Sequence, residues 1–150
     1  MKKYVSLVLF LILVVGGGSL IGVMNVPGEW YATLDKPSFN PPNWVFGPVW
    51  TTLYVLIAIA GWRVWQRGDL REAMWAWWAQ LGLNFLWSPV FFSLESPGGA
   101  VIVILAMLAA ILTFMRLVWN KDRVSGLLFV PYLAWVAFAT VLTISVFVLN

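Results

Sequence analysis

Three groups of side chains in this sequence are spaced to act together. Gln80, Asn84 and Ser88 recur at i, i+4 and i+8, which puts them on one face of a helix. Phe46, Trp50 and Tyr54 repeat that spacing, and Tyr132, Trp135, Ala139 and Leu142 or Thr143 follow a third helical stripe. Trp87 adds an indole beside Ser88. Indoles, phenols and an amide suit a large flat apolar ligand, which they stack against and orient with a few polar contacts. An aromatic stripe at this spacing is more often packing than site, and Gln80 and Ser88 read as hydrogen-bonding glue between helices. Two features favour a pocket. Gly18, Gly22 and Ala139 leave room at similar depth, and the deep indoles and the amide fall toward the same half of their apolar runs. Pro89 strengthens the case, because it frees the carbonyl of Phe85, which then requires a partner or a cavity.

What is missing narrows the chemistry. The sequence has no Cys and no His. That removes disulfides, a Cys nucleophile and a Ser-His-Asp triad, together with the usual zinc sites and His- or Cys-ligated haem. No metal site and no cofactor is expected. No acidic or basic residue lies in the middle of an apolar run, which argues against a proton-coupled pump or a channel for charged solutes.

The elements that must position these groups are membrane helices. Of 150 residues, 62% are apolar and only 10% charged, against about 25% charged in an ordinary soluble protein. So few charges cannot solvate a small domain, and so apolar a chain is not disordered. Five runs, about 4–24, 45–66, 72–93, 98–119 and 124–149, each approach the roughly 20 apolar residues that a bilayer core requires. Backbone groups in lipid must be satisfied within the element, so an all-α integral membrane bundle of five transmembrane helices is expected, as one domain over 1–150. The first run, after Lys2 and Lys3, resembles a signal peptide but is long for one, and it is read as a retained span. The fourth run is apolar throughout apart from Thr113, and is expected to face lipid or another subunit rather than a site. Gly18-x-x-x-Gly22 and Ala106-x-x-x-Ala110 are weak helix-packing or dimer patterns.

The bases orient the bundle. With a cytoplasmic N-terminus, Lys2, Lys3, Arg63, Arg67, Arg71, Arg116, Lys121 and Arg123 all lie inside and only Lys36 outside. This predicts a multi-pass protein with its C-terminus outside. The net charge of +3 sits at the ends of apolar runs, not on a solvated face, so no nucleic-acid partner is expected. Membrane lipid is. Among eleven tryptophans, Trp30, Trp44, Trp62, Trp65, Trp75 and Trp119 lie near run ends, where indole favours the interface. The segment 25–44, with Pro27, Pro37, Pro41 and Pro42 and the rings of Trp30, Tyr31, Phe39 and Trp44, is either a stiff lid over the bundle or an interfacial segment among headgroups.

At these residues the sequence resembles a known family. Trp30-Tyr31-x-x-Leu34-x-Lys36-Pro37-x-x-x-Pro41-Pro42, followed by Trp44, Phe46 and Pro48-Val49-Trp50, is similar to the translocator protein family, also called tryptophan-rich sensory protein, TspO or peripheral benzodiazepine receptor. Leu83-Asn84, Trp87-Ser88-Pro89 and Phe91-Phe92 resemble its third helix. Pro131-Tyr132-Leu133-Ala134-Trp135 with Phe138-Ala139-Thr140 resembles its fifth. The resemblance implies a five-helix bundle, a homodimer, and a pocket under the first loop for porphyrins such as protoporphyrin IX and for flat synthetic ligands. It places Tyr31, Trp50, Asn84, Trp135 and Ala139 at that pocket. It also implies a role in tetrapyrrole transport or regulation. One alternative is light-dependent oxidative degradation of porphyrin with Trp50 and Trp135 as catalytic residues; another is lipid or sterol sensing. Animal members end the fifth helix with a cholesterol motif containing Tyr and then Arg or Lys. No Tyr and no base follows Ala139 here, which points to a bacterial member in a bacterial cell membrane.

Overall fold

The computed structural model describes residues 2–150, and all of its regular structure is helical. The first long helix is α1 (Lys2–Leu11), a π turn over Ile12–Gly16, and α2 (Gly17–Met24). A short helix α3 (Glu29–Thr33) interrupts the proline-rich segment. Next come α4 (Asn43–Arg67) and α5 (Arg71–Ser88), then a second π turn (Pro89–Ser93) and α6 (Pro97–Val118). The last long helix is α7 (Arg123–Leu128) joined at Phe129 to α8 (Val130–Leu149).

Local chemistry sets these boundaries. Gly68 ends α4 at φ 75°, a left-handed position that favours glycine, and its N–H bonds the Val64 carbonyl. Ser96 caps α6, its hydroxyl accepting the Gly99 N–H at 3.1 Å, and Pro97 occupies the first turn, where no N–H is required. Pro89 cannot donate back to Phe85, and there the α-helical ladder gives way to the π turn.

Among the described residues, four helices are long and apolar enough to cross a membrane: Lys2–Met24, Asn43–Arg67, Pro97–Val118 and Arg123–Leu149. The chain is thus a multi-pass all-α membrane protein. Arg71–Ser88 runs with the others but falls short by that measure. Its charged start, Gln80, Asn84 and the π turn after Ser88 leave it without a long apolar stretch.

The packing corrects one expectation. α6 does not merely face lipid. It lies against α5, in the most extensive contact of the bundle, and against α8. Ala100, Val103, Ile104, Met107, Ile111, Phe114 and Val118 form its buried stripe, while Ile102, Leu105 and Leu112 are exposed. Trp77, Tyr132, Phe114 and Phe129 are the largest fully buried side chains. Trp77 of α5 is held against α4. Its indole N–H donates to the Ile57 carbonyl at 3.0 Å, and its ring passes over Gly61, where a Cβ would stand 2.3 Å from it.

The basic end is tied by polar bonds. Arg63 grips Asp122 with Nη2–Oδ1 at 2.9 Å and Nε–Oδ2 at 3.2 Å, and the Ser125 hydroxyl donates to Oδ2. Burial pushes the Asp122 carboxyl up, but these hydrogen bonds outweigh it and hold the group below the usual carboxylate range. The Trp62 indole N–H donates to the Lys3 carbonyl at 2.9 Å, which joins α1 to α4.

Candidate functional site

The site is built around a hydrogen-bonded chain inside the bundle. The Asn84 amide donates to the Tyr132 hydroxyl at 2.8 Å, and that hydroxyl donates to Gln80 Oε1 at 2.7 Å. Gln80 and Tyr132 are wholly buried and Asn84 nearly so. The i, i+4 spacing of Gln80 and Asn84 on α5 turns both amides toward α8. The polar stripe is thus partly glue. Asn84 differs from Gln80 in also reaching open space.

Above this chain is a cavity of about 470 Å³. Nine of the ten residues singled out as ligand contacts line it: Tyr31, Phe46, Trp50, Tyr54, Asn84, Trp87, Trp135, Ala139 and Leu142. Tyr132 does not. It sits behind the wall, its ring 6.4 Å from that of Trp50, and acts on the cavity through Asn84. The two tryptophans singled out for chemistry meet edge to face, with centroids 6.5 Å apart. Phe46 packs on Trp135 at 5.7 Å, and Trp87 stacks on Phe91 at 5.1 Å. Tyr54 lies across Gly18, where a Cβ would be 2.4 Å from the ring, so the glycine is what lets α2 pass beside this wall.

Other lining residues carried no clear signal. Ile104 and Met107 come from α6, and Phe91 and Phe92 from the π turn after Pro89. Asn25, Asn40 and Asn43 border the proline-rich segment. An asparagine next to a proline reads as a turn residue, and nothing in its spacing marks it as part of a wall. Thr143, weighed against Leu142, lines the cavity beside it, with its hydroxyl satisfied by the Ala139 carbonyl at 2.7 Å.

Segment 25–42 covers one end of the cavity. Trp30 and Tyr31 pack edge-on against Phe91, with centroids 5.8 and 6.0 Å away. Lys36 Nζ lies 4.4 Å from the centre of the Tyr31 ring. The Asn150 side chain clips the segment to the end of α8, donating to the Asp35 carbonyl at 2.9 Å and accepting the Asp35 N–H at 3.0 Å. Burial pushes the Tyr31 phenol above its ordinary value, so it presents a neutral hydroxyl.

Electrostatically the cavity is neutral. Among the described residues that line it, none is charged. The indole N–H groups of Trp87 and Trp135, two of the lining residues, are buried away from its open space with no partner among the described residues.

Residues 8–149 match the profile described as the TspO/MBR family. The chain is 38% identical over 151 residues to the tryptophan-rich protein TspO of Archaeoglobus fulgidus, covering 99% of this chain and 97% of that one. It is 41% identical over 133 residues to protein CrtK of Rhodobacter capsulatus, covering 86% and 83%. It is 36% identical over 137 residues to the human translocator protein, covering 86% and 81%.

Proposed function

The chain belongs to the TspO/MBR family, and from that premise we propose that it is a five-span membrane receptor or carrier for porphyrin-type tetrapyrroles such as protoporphyrin IX. The carrying observation is the uncharged cavity with indole walls and one nearly buried amide at its edge. Its volume falls within the several hundred Å³ usual for small-molecule sites. Such a slot holds a planar macrocycle by stacking, with no axial ligand. In this reading Tyr31, Phe46, Trp50, Tyr54, Asn84, Trp87, Trp135, Ala139 and Leu142 contact the ligand, and Tyr132 positions Asn84. The propionates of a porphyrin meet Lys36 and the backbone of the covering segment. The fifth span is Arg71–Ser88 with its π turn, packed mainly against α6. The working unit is a homodimer, and the membrane a bacterial cell membrane.

The test is reconstitution with protoporphyrin IX in the dark. The unaltered protein should quench its own tryptophan fluorescence on titration. Asn84→Leu should weaken binding about tenfold while leaving the fold intact, since a hydrogen bond between membrane helices averages only about 0.6 kcal/mol. A collapse of thermal stability with normal binding by the surviving protein would reduce Asn84 to glue.

The orientation is part of the proposal, with the N-terminus cytoplasmic and the segment 25–42 outside. Eight of the nine bases support it. A cysteine placed by Ser38→Cys should react with an impermeant reagent in right-side-out vesicles. Reaction only after permeabilisation would reverse the topology.

A second reading, oxidation of bound porphyrin in light, draws support from the edge-to-face contact of Trp50 and Trp135. Indole is far more easily oxidised than a phenyl ring.

A further inference from the structure

The covering segment is fastened on one flank only. Toward the π turn after α5 and the end of α8 it is held by the packing of Trp30 and Tyr31 on Phe91, by the paired bonds between Asp35 and Asn150, and by the Ser93 hydroxyl donating to the Asn25 side-chain oxygen Oδ1. Among the described residues, the opposite flank, between α2 and α4, has no such ties. The first helix packs on α4 as far as the π turn, and beyond it α2 makes its principal contact with α5. A seam opens where the helices part.

Four residues define the seam. Ser19 and Gly22 on α2 and Gly47 and Thr51 on α4 all line the cavity, and all are exposed. A Cβ added at Gly22 or Gly47 would meet nothing within 4 Å, so both glycines border open space. The edge of the seam is also suited to lipid. The Thr51 hydroxyl is satisfied by the Gly47 carbonyl at 2.9 Å and brings no unpaired donor to the opening. The cavity is also lined by Asn40, within the covering segment, and by Asn43 at the start of α4.

We propose that this seam is a lateral portal, through which a planar amphiphile dissolved in the leaflet on the loop side enters edge-on. Its apolar edge leads between Gly22 and Gly47, and its polar edge trails at Asn40 and Asn43. For its ligand class the portal rests on the function proposed above. Entry from water would require breaking the ties of the covering segment, whereas entry through the seam breaks none. Glycine on both sides keeps the slot clear for a flat molecule, and a ligand that partitions into the bilayer is already concentrated at its mouth.

Two measurements test this in lipid nanodiscs. The chain has no cysteine, so Gly47→Cys introduces a unique thiol. A membrane-partitioned pyrene maleimide should label it, and bound protoporphyrin IX should slow that labelling. Next, Gly22→Leu combined with Gly47→Leu narrows the seam without meeting protein atoms at either Cβ. Porphyrin association and dissociation should both slow about tenfold, so the equilibrium affinity changes far less than either rate. Asn150→Ala, which loosens the covering segment, should leave both rates alone. The portal is overturned if Asn150→Ala speeds exchange while the leucine pair has no effect, for the route then runs under the covering segment. It is equally overturned if the thiol at position 47 is unreactive because a second copy of the chain covers it. Labelling of that thiol in a protein that binds no porphyrin supports the opening and removes the porphyrin reading instead.

Discussion

Gly61→Leu should cost this protein its fold. A Cβ at position 61 would stand 2.3 Å from the Trp77 indole, and a leucine adds three more carbons in the same direction. Trp77 cannot give way cheaply. It is fully buried, packed edge-on against Phe10 and Trp78, and its N–H is spent on the Ile57 carbonyl. Overpacking alone costs about 1–3 kcal/mol, and losing the buried hydrogen bond costs a further 1–3 or so. Together these come to about 2–6 kcal/mol, which reaches the lower end of a domain's whole stability of about 5–15 kcal/mol. Melting in detergent should show the loss as a large drop in midpoint or as no folded protein at all. Adding Trp77→Ala to Gly61→Leu should recover part of it, since the indole is what the leucine strikes. A Gly61→Leu protein that melts like the original would show that α4 and α5 can separate at this point without penalty.

In the double variant Trp50→Phe/Trp135→Phe, porphyrin binding and any light-driven loss of porphyrin should come apart. A phenyl ring still stacks on a macrocycle, and stacked aromatic pairs are worth about 0.5–1.5 kcal/mol beyond the area they bury. Dark affinity should therefore fall no more than about tenfold. Phenylalanine is much harder to oxidise than indole and supplies no electron to an excited ligand or to a reactive oxygen product. If the cavity performs photochemistry, porphyrin absorbance should persist under light in the variant and decay in the parent. The measurement pairs fluorescence quenching in the dark with absorbance under illumination. Decay unchanged in the variant would leave a binding protein whose two indoles are walls. Equal loss of binding and decay would make both tryptophans contacts and nothing more.

Much of the bundle was legible because membrane helices are written in long apolar runs with bases at their ends. The stripes Phe46, Trp50, Tyr54 and Trp135, Ala139, Leu142 were legible because helical spacing fixes which residues share a face. What escaped has physical causes. α6 is apolar on every side, so the contrast that marks a buried face in water is missing when the solvent is lipid. Its contributions to the cavity, Ile104 and Met107, look no different from Ile102 or Leu105. Tyr132 shares the stripe of Trp135 but lies behind it, because its hydroxyl is drawn to Gln80 and Asn84, and spacing alone does not report depth. The clip between Asp35 and Asn150 joins residues 115 positions apart through one side chain. No local pattern announces such a bond. The third run shows the opposite case. The groups that made it conspicuous, Gln80 and Asn84, are the ones that lower its apolarity as a span.

The π turn at Ile12–Gly16 sets the phase of the first helix in a way its composition hides. A π turn takes in one residue more than an α turn, so the two halves of the helix are clocked relative to each other. Each residue advances an α-helix by about 100°. Closing the ladder as plain α-helix at unchanged length would swing the two halves by roughly that angle, whereas deleting one residue between positions 12 and 16 removes the extra residue and leaves them in phase. In the first case, with Phe10 and Val14 kept in the core, Gly18 would rotate away from Tyr54. The segment therefore works as a phase adjuster, and losing the π turn without losing a residue is a rotation of one wall of the cavity rather than a change in how far the helix reaches.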